Sequence, residues 1–206
     1  MILRSTLLSY YTYFTASVVF AILLTSTIRA DDMILGKSGG ISDGWKIQAW
    51  GGLSTATNTT VKKDEFSSLE IVAKSDVAGY AGISLNADNG IPLTDEMRKS
   101  GYVTLYIQNG KTSTGIPGDE QTVQLGLTFL GADGKPIHAK FSPVTIPAAT
   151  KDAGTWQQVK IPIADQLSTI NGAAVVSLAW IRFQYVGPAA AGVYLADCTL
   201  TKKADQ

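Results

Sequence analysis

Trp156-Gln-Gln-Val-Lys-Ile-Pro-Ile163, Trp180-Ile-Arg-Phe-Gln-Tyr185 and Val193-Tyr-Leu-Ala-Asp-Cys-Thr-Leu200 decide the fold class of this chain. In each run apolar and polar residues alternate, and Gly, Pro or Ala-rich spacers bound the runs, which is the pattern of half-buried antiparallel strands. Three such strands need a second apolar layer over their inner face. The earlier chain supplies strands of the same kind, so the reading is an all-β antiparallel β-sandwich.

Asp43–Gly51 reads as the first strand of the folded domain, with Trp45, Ile47 and Ala49 on one face and Lys46, Gln48 and Trp50 on the other. Thr55–Val61 is Thr-rich and polar, an edge strand or loop. Ser68–Ala73 and Tyr80–Leu85 follow as strands. Ile91–Ser100 carries the one helical signal, with Thr94 as cap, Asp95 and Glu96 in the first turn and Arg98 and Lys99 in the last. Gly101–Gln108 and Gln121–Phe129 alternate most clearly in the first half. The connection Asn109–Glu120 reads as an exposed, mobile loop. Lys140–Ile146, interrupted by Pro143, is expected at an edge.

The chain has 206 residues, about 45% of them hydrophobic, which suits one well-buried domain. Met1–Ala30 has the layout of a signal peptide: Arg4, an apolar stretch from Phe14 to Leu24, and a small residue, Ala30, before Asp31 and Asp32. An uncleaved anchor is the alternative, because Ser5–Ile28 is uncharged and long enough to span a bilayer. The expected organisation is therefore residues 1–30 as signal and 31–206 as the β-sandwich domain, secreted or periplasmic.

Basic and acidic residues balance at 17 each. Removing residues 1–30 takes away two arginines and no acid, leaving 15 against 17. That balance gives no footprint for nucleic acid or an anionic membrane. The single cysteine, Cys198, excludes an internal disulfide. By alternation it shares a face with Tyr194, Ala196 and Leu200 and reads as a small buried hydrophobe.

No nucleophile elbow or zinc-ligand spacing occurs. The one histidine, His138, lies in a Lys/Pro-rich stretch and reads as a solvated loop residue. Most acids fall in turns and helix ends, with only Glu70 and Asp197 inside clear strands, so the chain is read as a non-enzyme. A small hydrolase or lyase, which would need two carboxylates, or a Lys or Tyr beside an acid, in one cleft, is a competing class.

The outward stripes carry the functional signal. With Val103, Leu105 and Ile107 in the core, Tyr102, Tyr106 and Gln108 face outward. The same parity puts Gln124 and Thr128 on the outer face of what reads as the neighbouring strand. Trp180, Arg182 and Gln184 join them if Ile181, Phe183 and Tyr185 are inside, although both faces of that strand carry large apolar groups. Aromatic rings stack on the apolar face of a pyranose, while amide and guanidinium groups bond its hydroxyls. Such a face suits a polysaccharide or oligosaccharide.

The succession Trp156-x-x-Val-x-Ile-Pro, an apolar-x-apolar-Gln strand, and Val193-Tyr-Leu-x-Asp197 resembles the C-terminal part of jelly-roll carbohydrate-binding modules of the galactose-binding-like superfamily. Gly44-Trp45 and Gly101-Tyr102-Val103 fit the same layout. The resemblance implies a jelly roll, a non-catalytic carbohydrate-binding role, and a structural calcium between the first and last strands with Asp197 as a ligand. Ala196 stands where an acid is frequent. A structural or protein-binding envelope or assembly protein is the alternative on the same fold.

Overall fold

The computed structural model describes residues 31–72, 80–112, 114–149, 154–170, 174–186 and 191–202. The expected signal segment, the Lys74–Gly79 connection and Ala73 lie outside the described residues. Among the described residues no helix is long and apolar enough to cross a membrane.

The chain folds as two antiparallel sheets enclosing one apolar core, the expected sandwich. The first sheet contains β1 (Asp31–Met33), β3 (Ser54–Lys63), β4 (Phe66–Val72), β6 (Tyr102–Asn109), β10 (Gln157–Pro162) and β12 (Val193–Thr201). Its strand order is β10-β6-β12-β4-β3, with β1 also paired to β12. The second sheet contains β2 (Trp45–Trp50), β5 (Gly82–Pro92), β7 (Gln121–Gly131), β8 (Pro136–His138), β9 (Ser142–Ile146) and β11 (Val175–Tyr185). Here the order is β2-β5-β11-β7-β8, and β9 pairs with the opposite end of β7. Pro143 thus sits on an edge strand, as a residue without an N–H requires.

Successive strands β5, β6 and β7 alternate between the sheets, and so do β10, β11 and β12. This corrects one sequence expectation: β6 and β7 are not neighbours but lie in opposite layers. Val103, Leu105 and Ile107 from β6 meet Val123, Leu125, Leu127 and Phe129 from β7 in the interior. Ile83, Leu85, Ile181, Phe183, Val193 and Leu195 complete that layer. Each fully buried side chain of this size contributes about 1.5–3 kcal/mol, so inner-face alternation outweighs any single turn preference in setting register.

Two bulges change the alternation that the bare sequence suggests. In β11, Ala179 is extra relative to β7, where Leu178 opposes Phe129 and Trp180 opposes Thr128. Leu178 and Ile181 both stay in the core, and Trp180 turns outward. In β12 the extra residue falls between Ala196 and Thr199, and Asp197 adopts φ 45°. Cys198 therefore joins Val193, Leu195 and Leu200 inside, instead of sharing a face with Tyr194 and Ala196. Burial pushes its thiol well above the ordinary range, as expected of an inert cysteine.

The helix α1 (Asp95–Ser100) forms where the cap signals place it, with the Thr94 hydroxyl accepting from the Met97 amide at 3.1 Å. A second helix, α2 (Ile163–Ser168), was not expected. Its Gln166 is buried and accepts the Leu127 amide at 3.0 Å. Strands β1 and β8 are also additions, each only three residues long.

The connection after β6 is less open than its composition suggests. Asn109 and Gly118 are buried. The Asn109 amide donates to the Gly118, Asp119 and Pro147 carbonyls, while its oxygen accepts from Gly110 N–H and from Gln121 Nε2 at 2.6 Å. Tyr185 Oη donates to the Ala191 carbonyl beside it at 2.9 Å. This polar knot closes one end of the sandwich.

Candidate functional site

The seven outward residues expected to bind ligand divide between two faces on opposite sides of the core. Tyr102, Tyr106 and Gln108 belong to the outer face of the first sheet; Gln124, Trp180, Arg182 and Gln184 belong to that of the second.

On the first sheet the tyrosines are half-buried, and lysines lie on their rings. Lys160 Nζ is 3.4 Å from the Tyr102 ring centre, and Lys63 Nζ is 4.6 Å from that of Tyr106. Each ammonium occupies a ring face that a sugar would need. Gln108, expected outside, is 2% exposed. A Cβ on Gly154 would stand 2.6 Å from Gln108 Cγ, so the segment leading into β10 lies directly over it. Nearby, Glu70 accepts from Asn58 Nδ2 at 3.0 Å and from Tyr194 Oη at 3.2 Å. Burial first, then Glu70, pushes the Tyr194 phenol up to about 12. Asn58, in the Asn-Thr-Thr sequence, also accepts the Thr60 and Val61 amides, so its amide is committed on both sides.

Asp197 sits half-buried at the β12 bulge. Burial raises its pKa first, with Lys63 opposing and Asp64 reinforcing the shift. Asp64 is itself bound by Lys63, and Asp32 pairs with Lys202 at 2.7 Å. Calcium asks for six or more oxygen ligands. Among the described residues no three His, Cys, Asp or Glu side chains gather around one point. An ammonium beside the candidate carboxylate further opposes a cation, and the residues here do not fit calcium.

The outer face of the second sheet is built as three rows crossing the strands, read from register. Lys46, Asn86, Trp180, Thr128 and His138 form the first; Gln48, Ser84, Arg182 and Gly126 the second; Trp50, Gly82, Gln184, Gln124 and Pro143 the third. Trp180 thus shares its face with Arg182, Gln184 and Gln124, four of the seven residues named as candidates, and not with Tyr102, Tyr106 and Gln108.

The face also brings in four residues that the sequence reading left out. Trp50 lies across Gly82, where a Cβ would come within 2.3 Å of its Cζ2, and Trp50 Nε1 donates to the Tyr80 carbonyl at 2.9 Å. Phe141 lies over Gly126, whose Cβ would meet it at 3.1 Å. His138 stacks beside Trp180 with ring centres 5.7 Å apart, and its Nδ1 bonds the Thr128 hydroxyl at 2.9 Å. Tyr80, 82% exposed with φ 51°, stands beside Trp50 at the margin. The signal for the first two was present: a glycine inside a strand marks close approach of another group.

Arg182 crosses β7. Its Nη2 donates to the Ala139 carbonyl at 2.8 Å and the Leu127 carbonyl at 3.3 Å, and the guanidinium carbon is 4.2 Å from the Phe141 ring centre. Its Nε is buried with no hydrogen-bond partner. Desolvation lowers the pKa of Arg182. Burial and then the Arg182 charge lower that of His138, which favours the neutral imidazole.

Trp50 and Trp180 are two strands apart and four residues offset along β11, about 16 Å between backbones at about 4.8 Å per strand and 3.3 Å per residue. That span is far more than one sugar ring covers.

No protein-family model matches the chain, and no curated protein matches it in sequence. Solved structures do match in fold. A family 30 carbohydrate-binding module is 19% identical over 85% of this chain and 86% of its own, with a TM-score of 0.56. The family 11 carbohydrate-binding module from Clostridium thermocellum, in complex with a β-1,3-1,4-mixed-linked tetrasaccharide, is 14% identical over 85% and 98%, with a TM-score of 0.54. An arabinose-bound α-L-arabinofuranosidase is 14% identical over 82% of this chain and 26% of its own, with a TM-score of 0.51. The chain has the jelly-roll β-sandwich fold of carbohydrate-binding modules.

Proposed function

We propose that this protein is an exported, non-catalytic carbohydrate-binding module that takes an oligosaccharide segment of a longer glycan across the outer face of the second sheet. The observation that carries the reading is the composition of that face. Rings of Trp50, Trp180, His138 and Phe141 are interleaved with amides of Gln48, Asn86, Gln124 and Gln184. Rings supply stacking area and amides supply paired donors and acceptors, the combination a polyhydroxylated ring needs.

The tetrasaccharide held by the family 11 module supports a saccharide ligand for this fold. A binding role is further supported by the absence of any carboxylate from the three rows among the described residues, since glycoside cleavage ordinarily uses two. Export rests on the Met1–Ala30 pattern.

Affinity electrophoresis of the purified protein through gels containing plant, fungal and bacterial polysaccharides tests the reading. Retarded migration in at least one polymer is expected. Unchanged mobility in every polymer, with no depletion by the insoluble glycans, overturns it.

A further inference from the structure

Within the three rows, Arg182 is a charged group with no carboxylate in an ion pair among the described residues. Lys46, the other cation there, is paired with Asp88 at 2.8 Å. Asp88, in β5 and committed to Lys46, is the one described acid in a strand of this sheet; the others lie on the first sheet, in turns or at helix ends, in a chain whose acids and bases balance overall. The Arg182 guanidinium is half-buried, bonded only to neutral carbonyl oxygens and covered on one side by Phe141. Such a charge is poorly compensated: carbonyl dipoles and a ring face offset part of its lost hydration, while a full negative charge would offset much more. Desolvation and the Arg182 charge both disfavour a proton on neighbouring His138.

Resting on the saccharide reading above, we infer that the glycan recognised on this face is anionic, and that Arg182 selects it through a carboxylate or sulfate carried by the sugar. The anion lies at the β7 end of the second row, where the guanidinium reaches over Gly126 beside Phe141. Its attraction to the guanidinium acts in a partly desolvated setting, where it is stronger than on an open surface. The anion answers the guanidinium's charge, which the Ala139 and Leu127 bonds and the Phe141 ring fix in place before the ligand arrives.

The test compares a polyuronate with the same polymer after carboxyl reduction, and a sulfated galactan with its desulfated form, by affinity electrophoresis and calorimetry at low and high salt. The inference expects at least one anionic polymer to bind about tenfold more tightly than its neutral counterpart, with the preference shrinking as salt rises. Preference for the polyuronate alone identifies the carboxylate, and preference for the galactan alone identifies the sulfate. Arg182→Gln is expected to collapse the acid-to-neutral affinity ratio towards one, and Arg182→Lys to retain part of it. The wild-type comparison stands even if loss of the Ala139 and Leu127 bonds impairs folding of the variants. Equal affinity for the anionic and neutral members of both pairs overturns the inference while leaving the saccharide reading intact; binding to no polysaccharide overturns both.

Discussion

Gly82→Ala tests whether an indole really lies flat across β5. The added Cβ would stand 2.3 Å from Trp50 Cζ2 and 2.3 Å from the Phe183 carbonyl oxygen, so both neighbours must retreat by about 1 Å or more to reach ordinary contact. Overpacking of this kind costs about 1–3 kcal/mol, and in a domain of this size each kcal/mol lowers Tm by about 2–4 °C. Trp50→Ala removes the bond to the Tyr80 carbonyl and part of a half-buried ring, a loss of about 1–2 kcal/mol. The two changes should not add. With Trp50 truncated, the ring clash vanishes and only the Phe183 carbonyl remains, so the double variant should be less destabilised than the sum by about 0.5–1.5 kcal/mol. Urea denaturation of the four proteins followed by circular dichroism measures this coupling. Additivity within about 0.3 kcal/mol would refute the placement of Trp50 over Gly82, and with it one end of the proposed platform.

Asn109→Ala should destabilise by about 2–4 kcal/mol in the same assay, because it strands the buried Gln121 amide and several carbonyls at once. Tyr185→Phe should cost about 1–2 kcal/mol, since the Ala191 carbonyl loses its buried donor. Because the folded-state pKa of His138 lies below its unfolded value, the unfolded chain binds more protons as pH falls below about 6.5. Its contribution to stability is fully present above that pH and is lost as pH drops through the lower folded value. His138→Gln should flatten that part of a Tm-against-pH curve, and an unchanged slope would contradict the burial argument. Cys198 should react with a thiol reagent only after denaturant is added, and rapid labelling of the native protein would contradict the bulge that turns it inward.

The inner layer was legible in the sequence because burial enforces a period of two. Val103, Leu105, Ile107 and Val123, Leu125, Leu127 announce themselves, and each is buried. The pairing of strands was not legible. Consecutive β6 and β7 read as neighbours, as consecutive strands often are, yet the jelly-roll crossing places them in opposite sheets through contacts remote in sequence. Alternation alone groups Tyr102 and Tyr106 with Gln124, yet the whole thickness of the core separates them.

Parity failed where one residue is inserted: Ala179 rescues an outward Trp180 from an ambiguous strand, and Asp197 inverts the face of Cys198. Gln108 follows the expected alternation but is covered by the chain at Gly154, which no strand pattern encodes. The rings over Gly82 and Gly126 come from edge segments reaching over more central strands. Only the strand-internal glycines hinted at them. His138, read as a solvated loop residue, belongs to β8 and keeps one side in water, while the side against Trp180 and Thr128 is desolvated.

Which face takes the glycan is decided by comparing Trp50→Ala and Trp180→Ala with Tyr102→Ala and Tyr106→Ala against whichever polysaccharide retards the wild-type protein. The tryptophan variants should each lose about tenfold or more in affinity, as truncation of a central aromatic anchor typically does, while both tyrosine variants bind within about threefold of wild type. Loss of binding in the tyrosine variants with full retention in the tryptophan variants would place the ligand on the first sheet and contradict the site described here.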